Sequence, residues 1–393
     1  MNPGLIVKLR PAGPWRIGPS TGARNRVDSI YHSDSLYSAV THAMARLGAL
    51  EEWLAATARA SAPAICFSSC FPLVDEIPFV TPPRTVWPPS AASLTSGRVR
   101  WKSAQFVPLN IVQSILSGQT LDENRWTLDG PSGCLMPNGK SGPFRAAVRW
   151  SAAVDRLSGA VERHSAACIE FRPGMGLWTV VSFSDDAARD RWQDRVKSAL
   201  RLLADSGFGG ERSRGWGRAE APEFEEGMLP EMILGAQAAK PQGPDVIPPI
   251  QEPPQEQPPA QEPPAEPHSP EPDPEPEPYP DPGHFPDPLP AAPAVSPAGD
   301  SSPQWLLSLF SPAAADSVEW SRGKYTLIER GGRVESSVRS GALKKQVQMV
   351  TEGSVLYASS PLCGASPDVA PEGFDHPVFR AGFALAIPLP EAS

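Results

Sequence analysis

The sequence predicts an α+β fold, an antiparallel sheet with helices on one face, of the ferredoxin-like kind. Three observations lead there. Over residues 1–228 the elements run strand, helix, strands, helix, strand. Two segments carry apolar residues at helical spacing behind residues that cap helices well. A proline-rich acidic block then separates this region from a smaller, strand-rich tail.

Taken in order, Leu5–Leu9 (LIVKL) predicts the first strand, and a polar loop rich in Gly and Pro runs from Arg10 to Ser33. Ser33 or Asp34 is expected to cap a helix whose buried stripe is Leu36, Val40, Ala43, Met44 and Leu47. Gly48 would stop it, and EEWLAATARA (Glu51–Ala60) adds a second short helix. Ile65–Val74 reads as a strand, followed by the Pro- and Trp-rich excursion IPFVTPPRTVWPPS. Strands are expected at Arg145–Val154 and Ile169–Phe183, the second interrupted by Pro173-Gly-Met-Gly176. Ser184 or Asp185 should cap a long helix with the stripe Trp192, Val196, Ala199, Leu200 and Leu203. A glycine-rich loop over 206–218 and a strand to Phe224 complete the N-terminal region. In the tail, strands are expected from Trp305 and at Lys324–Ile328, Gln346–Val350 and Val378–Ile387.

Composition sets the organisation. Of 49 prolines, 23 lie between 241 and 300, a block reading PPQEQPPAQEPPAEPHSPEPDPEPEPYPDPGHFPDP. Such a block has too little apolar surface to bury and predicts a disordered, partly polyproline-II linker. It holds 12 acidic residues and no Lys or Arg, so the net charge of −9 becomes 35 basic against 32 acidic, +3, for the remainder. A mildly basic folded part is compatible with nucleic-acid binding. The expected division is an N-terminal domain over 1–228, a linker over 229–302 and a C-terminal domain over 303–393. The five cysteines form no CxxC pair, which predicts reduced thiols in the cytoplasm. Cys66 and Cys70, four apart on one expected strand face, read as buried small residues rather than metal ligands. Neither a signal peptide nor a membrane span is expected from the pattern.

The loop SGFGGERSRGWGR (Ser206–Arg218) concentrates five glycines, three arginines and two aromatics. A dinucleotide site needs strand, glycines, then helix, whereas here a helix precedes and a strand follows. Its spacing would also demand glycine where Arg212 stands, and no GK[ST] is present for a phosphate-binding P-loop. Two readings stand: a solvated connection, or a cradle for single-stranded RNA, with arginines for phosphates and planar side chains for bases.

FGGERSRGWGR resembles the glycine-rich loop of the RAMP superfamily of CRISPR-associated proteins. Five further stretches resemble one branch of it, the fourth Csm subunit of type III-A effector complexes. They are HSDSLYSAV (His32–Val40), WKSAQFVPLNIVQSILSG (Trp101–Gly118), AAVDRLSGAVER (Ala152–Arg163), MVTEGSVL (Met349–Leu356) and HPVFRAGFALAI (His376–Ile387). They occur in the family's order; Phe379 and Ala381 stand where the last motif has Tyr and a second aromatic residue. The resemblance implies two RRM-like RAMP domains and a non-catalytic subunit that needs no cofactor. Such a subunit holds the 5′ handle of crRNA and joins the large polymerase-like subunit to the backbone Csm subunits, with no membrane partner. Carried onto this chain, the RNA-contact candidates are Phe208, Gly209, Gly210, Arg212, Ser213, Arg214, Gly215, Trp216 and Arg218. Arg16, Arg24 and Arg26, in the first polar loop, form a second basic group of candidates.

Other polar residues have plainer readings. His32 is expected to order the helix start, and Asp155 and Arg156 to form an ion pair at a strand end. Lys344 and Lys345 read as a solvated face, with contact to phosphate as the alternative. No HxxxH, HExxH or GxSxG pattern is present. The enzymatic rival is a RAMP endoribonuclease that matures crRNA, with His32 or His42 activating a 2′-hydroxyl. A third class is an assembly module whose basic loop meets an acidic protein surface.

Overall fold

A computed structural model describes residues 1–18, 23–89, 101–119, 121–235, 301–334 and 341–390. The acidic proline block expected as a linker lies outside the described residues.

The elements are β1 (Asn2–Leu9), α1 (Ser33–Arg46), α2 (Leu50–Ala56), β2 (Ile65–Phe67), β3 (Phe71–Val74), β4 (Ile77–Val80), β5 (Val107–Pro108) and α3 (Leu109–Leu116). There follow β6 (Trp126–Asp129), β7 (Cys134–Pro137), β8 (Phe144–Val154), β9 (Val161–Phe171), β10 (Gly176–Phe183), α4 (Asp186–Ser206), β11 (Glu223–Leu229) and α5 (Glu231–Leu234). The C-terminal part adds β12 (Ser302–Leu306), β13 (Leu327–Arg330), β14 (Val347–Val350), β15 (Val355–Ala358), β16 (Gly364–Ala365), β17 (Gly382–Phe383) and β18 (Ala386–Pro388).

The main sheet is antiparallel, ordered β11-β1-β10-β3-β4-β5, with β2 also paired to β10. The chain order β1, α1, β2/β3, β10, α4, β11 laid out with β1 and β10 in the middle is the ferredoxin-like arrangement. β1 buries Leu5, Val7 and Leu9 with the period of two that a half-covered strand requires. β10, central in the sheet, is buried along nearly its whole length. α1 and α4 pack against one another over this sheet, α4 through Trp192, Val196, Ala199, Leu200 and Leu203. Asp185 caps α4 by accepting the Ala188 N–H at 2.7 Å.

Several local expectations change. Ile65–Val74 is two strands, because Ser68 and Ser69 break the ladder and turn their hydroxyls into the interior. Leu47, expected in the stripe of α1, is the residue that ends that helix and is exposed. His32, not Ser33 or Asp34, occupies the N-cap position of α1 and makes no side-chain cap. Glu231–Leu234, inside the range assigned to the linker, form α5 with Ile233 buried.

The C-terminal part supplies strands but no helix among the described residues, chiefly the antiparallel sheet β15-β12-β18. It shares the main hydrophobic core. Trp305, Leu307, Val355, Phe383 and Ile387 join the cluster built by β1, α1 and β10, and Tyr37 of α1 meets Phe383 edge-on with ring centroids 5.5 Å apart. Among the described residues no helix is long and apolar enough to cross a membrane.

Candidate nucleic-acid interface

The glycine loop is a rigid structure with an exposed tip. α4 ends at Gly207 in the left-handed region (φ 81°), which a side chain would rarely adopt. The chain then folds back on itself. A Cβ at Gly217 (φ 79°) would stand 2.0 Å from the Phe208 carbonyl oxygen, and one at Gly209 (φ 89°) would stand 2.6 Å from the Arg16 carbonyl oxygen. Gly210 N–H donates to Arg16 O at 2.9 Å and Gly217 N–H to Pro14 O at 3.0 Å. These glycines are there because backbone meets backbone, and no ligand is needed to explain them.

The two aromatics expected to stack bases turn inward. Phe208 is 1% exposed; its ring packs edge-on against Trp15 (4.5 Å) and Tyr31 (5.4 Å). Trp216 is buried against Ala166 and Cys168 of β9, with Ala147 of β8 packed beside them. Arg16 is also interior: its guanidinium donates to the carbonyls of Ala23 (2.9 Å), Arg24 (2.9 Å) and Ala167 (2.8 Å). Arg16, Phe208, Gly209, Gly210 and Trp216 therefore hold the loop in place.

What the loop presents is Arg212-Ser213-Arg214-Gly215, a single turn of 3₁₀ helix, all exposed. Glu211 starts the turn at positive φ (60°) and its carboxylate pairs with Arg214 Nε at 3.2 Å. Arg24 and Arg26 are exposed on the neighbouring loop, whose Arg24 carbonyl accepts the Ala167 N–H. Arg218 is exposed but turned back onto α4, its Nε donating to the Asp205 carbonyl at 2.8 Å.

Beside the tip opens a groove of about 770 Å³ between α1, the loop and two C-terminal segments, 330–334 and 376–380. Six Lys or Arg side chains line it against two carboxylates, Asp34 and Glu51. Two of the six share one carboxylate: Arg330 binds Asp34 through both Nε (3.1 Å) and Nη2 (2.9 Å), and Arg380 donates to the same carboxylate. Arg59 pairs with Glu51. Arg212, Arg333 and Lys344 complete the cationic lining, Arg333 donating to the Gly341 carbonyl.

The wall of the groove is a buried polar network joining three of the sequence motifs. Asp34 comes from HSDSLYSAV, Arg380 from HPVFRAGFALAI, and Glu352 from MVTEGSVL. Glu352 accepts from the Ser69 hydroxyl and faces His32 Nδ1 at 2.8 Å. Ser33 Oγ accepts the Leu309 N–H at 3.0 Å. Burial alone would raise the Asp34 carboxyl, but Arg330 and Arg380 outweigh it and hold the group well below the ordinary carboxylate range. Burial would likewise raise Glu352, and His32 and the Ser69 hydroxyl bring it below its ordinary value. His32 is 7% exposed, so its place is in this network and not at an RNA backbone. Asp155, expected to pair with Arg156, instead accepts the Leu157 N–H and the Ser158 hydroxyl (both 2.8 Å) and shapes the tip of the β8–β9 hairpin.

The groove also takes in Arg333, which no sequence motif singles out, and Lys344, for which phosphate contact and a solvated face both stood open. The pattern Gly331-Gly332-Arg333, with Gly332 at φ 126°, is the one local trace of the first.

Residues 299–389 match the family described as the CRISPR Csm4 C-terminal domain. No curated protein matches the sequence. Among solved structures, the chain is similar to one in the Csm3–Csm4 subcomplex of the type III-A CRISPR-Cas interference complex. That match has 14% identity, covers 98% of this chain and 99% of that one, and has a TM-score of 0.56. A chain of a Csm1–Csm4 cassette in complex with cA4 matches at 14% identity, with 100% of this chain and 99% of that one covered and a TM-score of 0.50. Residues 299–389 thus resemble the Csm4 C-terminal domain, and the chain as a whole shares the fold of the chain it matches in the type III-A Csm3–Csm4 subcomplex.

Proposed function

We propose that this chain is a non-catalytic, crRNA-binding subunit of a type III-A CRISPR interference complex. In that complex it bridges the large polymerase-like subunit, Csm1, to the backbone subunit Csm3 in the cytoplasm, and it holds the 5′ handle of the crRNA. The observation that carries the RNA reading is the rigidly mounted cationic tip Arg212–Arg214 at the mouth of a groove whose cations exceed its acids. Arginine donors on a preorganised loop suit phosphate oxygens, and the neutralisation of several phosphates makes such binding salt-dependent. Arg24, Arg26, Arg333 and Lys344 extend the same surface.

The burial of His32 and its engagement with Glu352 support a binding role over RNA cleavage by that residue. His42, exposed on α1 and lining the groove, is the one proposed general base with access to it. We also read the chain as two domains, 1–228 and 303–393, that meet across the Asp34 network.

The test is a tagged pull-down from the native host with sequencing of bound RNA and identification of bound proteins. Recovery of crRNAs sharing one 5′ repeat end, together with the large subunit, is the expected result. RNA cut at the repeat without a co-purifying complex, abolished by His42→Ala, would instead establish a maturation nuclease. Recovery of partner proteins without RNA would make the basic tip a protein-contact surface.

A further inference from the structure

A second cavity, of about 690 Å³, lies apart from the glycine loop, between the chain that follows β4 and the C-terminal segment around Lys324. Arg84, Lys102 and Lys324 line it together with the rings of Trp87 and Tyr325, and among the described residues no carboxylate lines it. Three cations in one concavity repel one another and are tolerated where an anion is to be met. The rings add a planar surface that suits a base, since base–aromatic stacking accepts any base.

The walls are fixed. Arg84 N–H donates to the Gly353 carbonyl at 3.0 Å, and the Trp305 indole N–H donates to the Thr81 carbonyl at 3.2 Å. Gly353 sits at φ 79°, and a Cβ there would stand 2.5 Å from the Thr81 side chain, so the 81–84 segment lies directly on the β14–β15 turn. Opposite, Lys324 exchanges both backbone hydrogen bonds with Val355 (2.9 and 3.0 Å). Tyr325 leans edge-on against Trp320 with centroids 5.3 Å apart, over Gly323, where a Cβ would come within 3.2 Å of its ring. Two cations and a ring are thus mounted on backbone anchored before any ligand arrives, the arrangement that lowers the ordering cost of binding.

We propose that this cavity is a nucleotide-phosphate site, with Arg84, Lys102 and Lys324 on the phosphate and Trp87 or Tyr325 against the base. The phosphate belongs either to a free nucleotide or to a nucleotide within an RNA strand.

Equilibrium dialysis of the full-length protein against 5′-AMP, adenosine and inorganic phosphate tests it. The expected result is retention of 5′-AMP, competition by inorganic phosphate and at least tenfold weaker retention of adenosine. Arg84→Ala and Lys324→Ala should each weaken 5′-AMP at least fivefold at an unchanged melting temperature, and Lys324→Arg should retain it. An RNA oligonucleotide without terminal phosphates that displaces 5′-AMP identifies the RNA strand as the source, and failure to displace identifies a free nucleotide. No retention of 5′-AMP, or retention indifferent to both Arg84→Ala and Lys324→Ala, would overturn the proposal.

Discussion

Replacing Asp34 by Asn should cost more stability than almost any other single polar change in this protein. Asp34 is 4% exposed and is the shared acceptor for Arg330 and Arg380, themselves 5% and 8% exposed. Asp34 lies 296 residues from Arg330 and 346 from Arg380, so the carboxylate ties α1 to the C-terminal segments. Asn keeps the shape and one acceptor but leaves two buried guanidiniums without the carboxylate they share. Breaking a buried pair in this way costs about 3–5 kcal/mol. At roughly 2 °C per kcal/mol for a unit of this size, the melting temperature should fall by about 6–10 °C. The pH dependence has a definite sign. The folded-state carboxyl titrates below its ordinary value of 3.8, so its contribution is whole above that value and is lost as the pH falls through the folded pKa. Glu352, depressed from 4.5, acts in the same direction. Wild type should therefore lose stability below about pH 4 more steeply than Asp34→Asn. Calorimetry at pH 7 and at about pH 3 would measure both effects. A double-mutant cycle with Arg330→Met should give a coupling of about 1–3 kcal/mol. A loss under 1 kcal/mol for Asp34→Asn, with additive behaviour in the cycle, would refute the role assigned to this network.

Three further outcomes follow from the glycine loop. Gly217→Ala should destabilise by about 1–3 kcal/mol, because the new Cβ would stand 2.0 Å from a backbone oxygen, whereas Gly215→Ala, with open space around it, should cost only the strain of its positive φ, about 1 kcal/mol; thermal melts compare the two. Phe208→Ala should cost about 3–5 kcal/mol as a core deletion in chemical denaturation, a loss that a base-stacking residue on the surface would not show. Arg212→Ala with Arg214→Ala should leave the melting temperature within 1 °C of wild type yet lower the slope of log affinity for single-stranded RNA against log salt by about 1.4, read by filter binding.

The sheet and its two covering helices were legible because their information is local. The stripe of α4 and the Asp185 cap are set by residues within a few turns of each other, and the structure reproduces both. The start of α1 was not legible in the same way. Ser33 and Asp34 have the chemistry of helix caps, but their side chains go to Leu309 N–H, Arg330 and Arg380, partners hundreds of residues away. α3 begins at Pro108 without a side-chain cap, and its helical state is fixed by packing against β4 and β5. The glycine loop divides along the same line. Its place between a helix and a strand could be read from the sequence, and so could the exposure of Arg212 and Arg214. Phe208 and Trp216 could not be placed, because aromatics between arginines look alike whether they stack on bases or fill a core. The order of the family motifs along the chain gave the fold. Only the fold shows that HSDSLYSAV, MVTEGSVL and HPVFRAGFALAI meet in one network.

The central claim, that the loop tip and its groove hold crRNA, is tested most directly by photo-crosslinking the intact complex with 4-thiouridine in the repeat-derived handle, followed by mass spectrometry of crosslinked peptides. The account predicts adducts on the peptide carrying Arg212–Gly215 and on that carrying Gly331–Arg333. Adducts confined to partner subunits, with crRNA present in the complex, would contradict it.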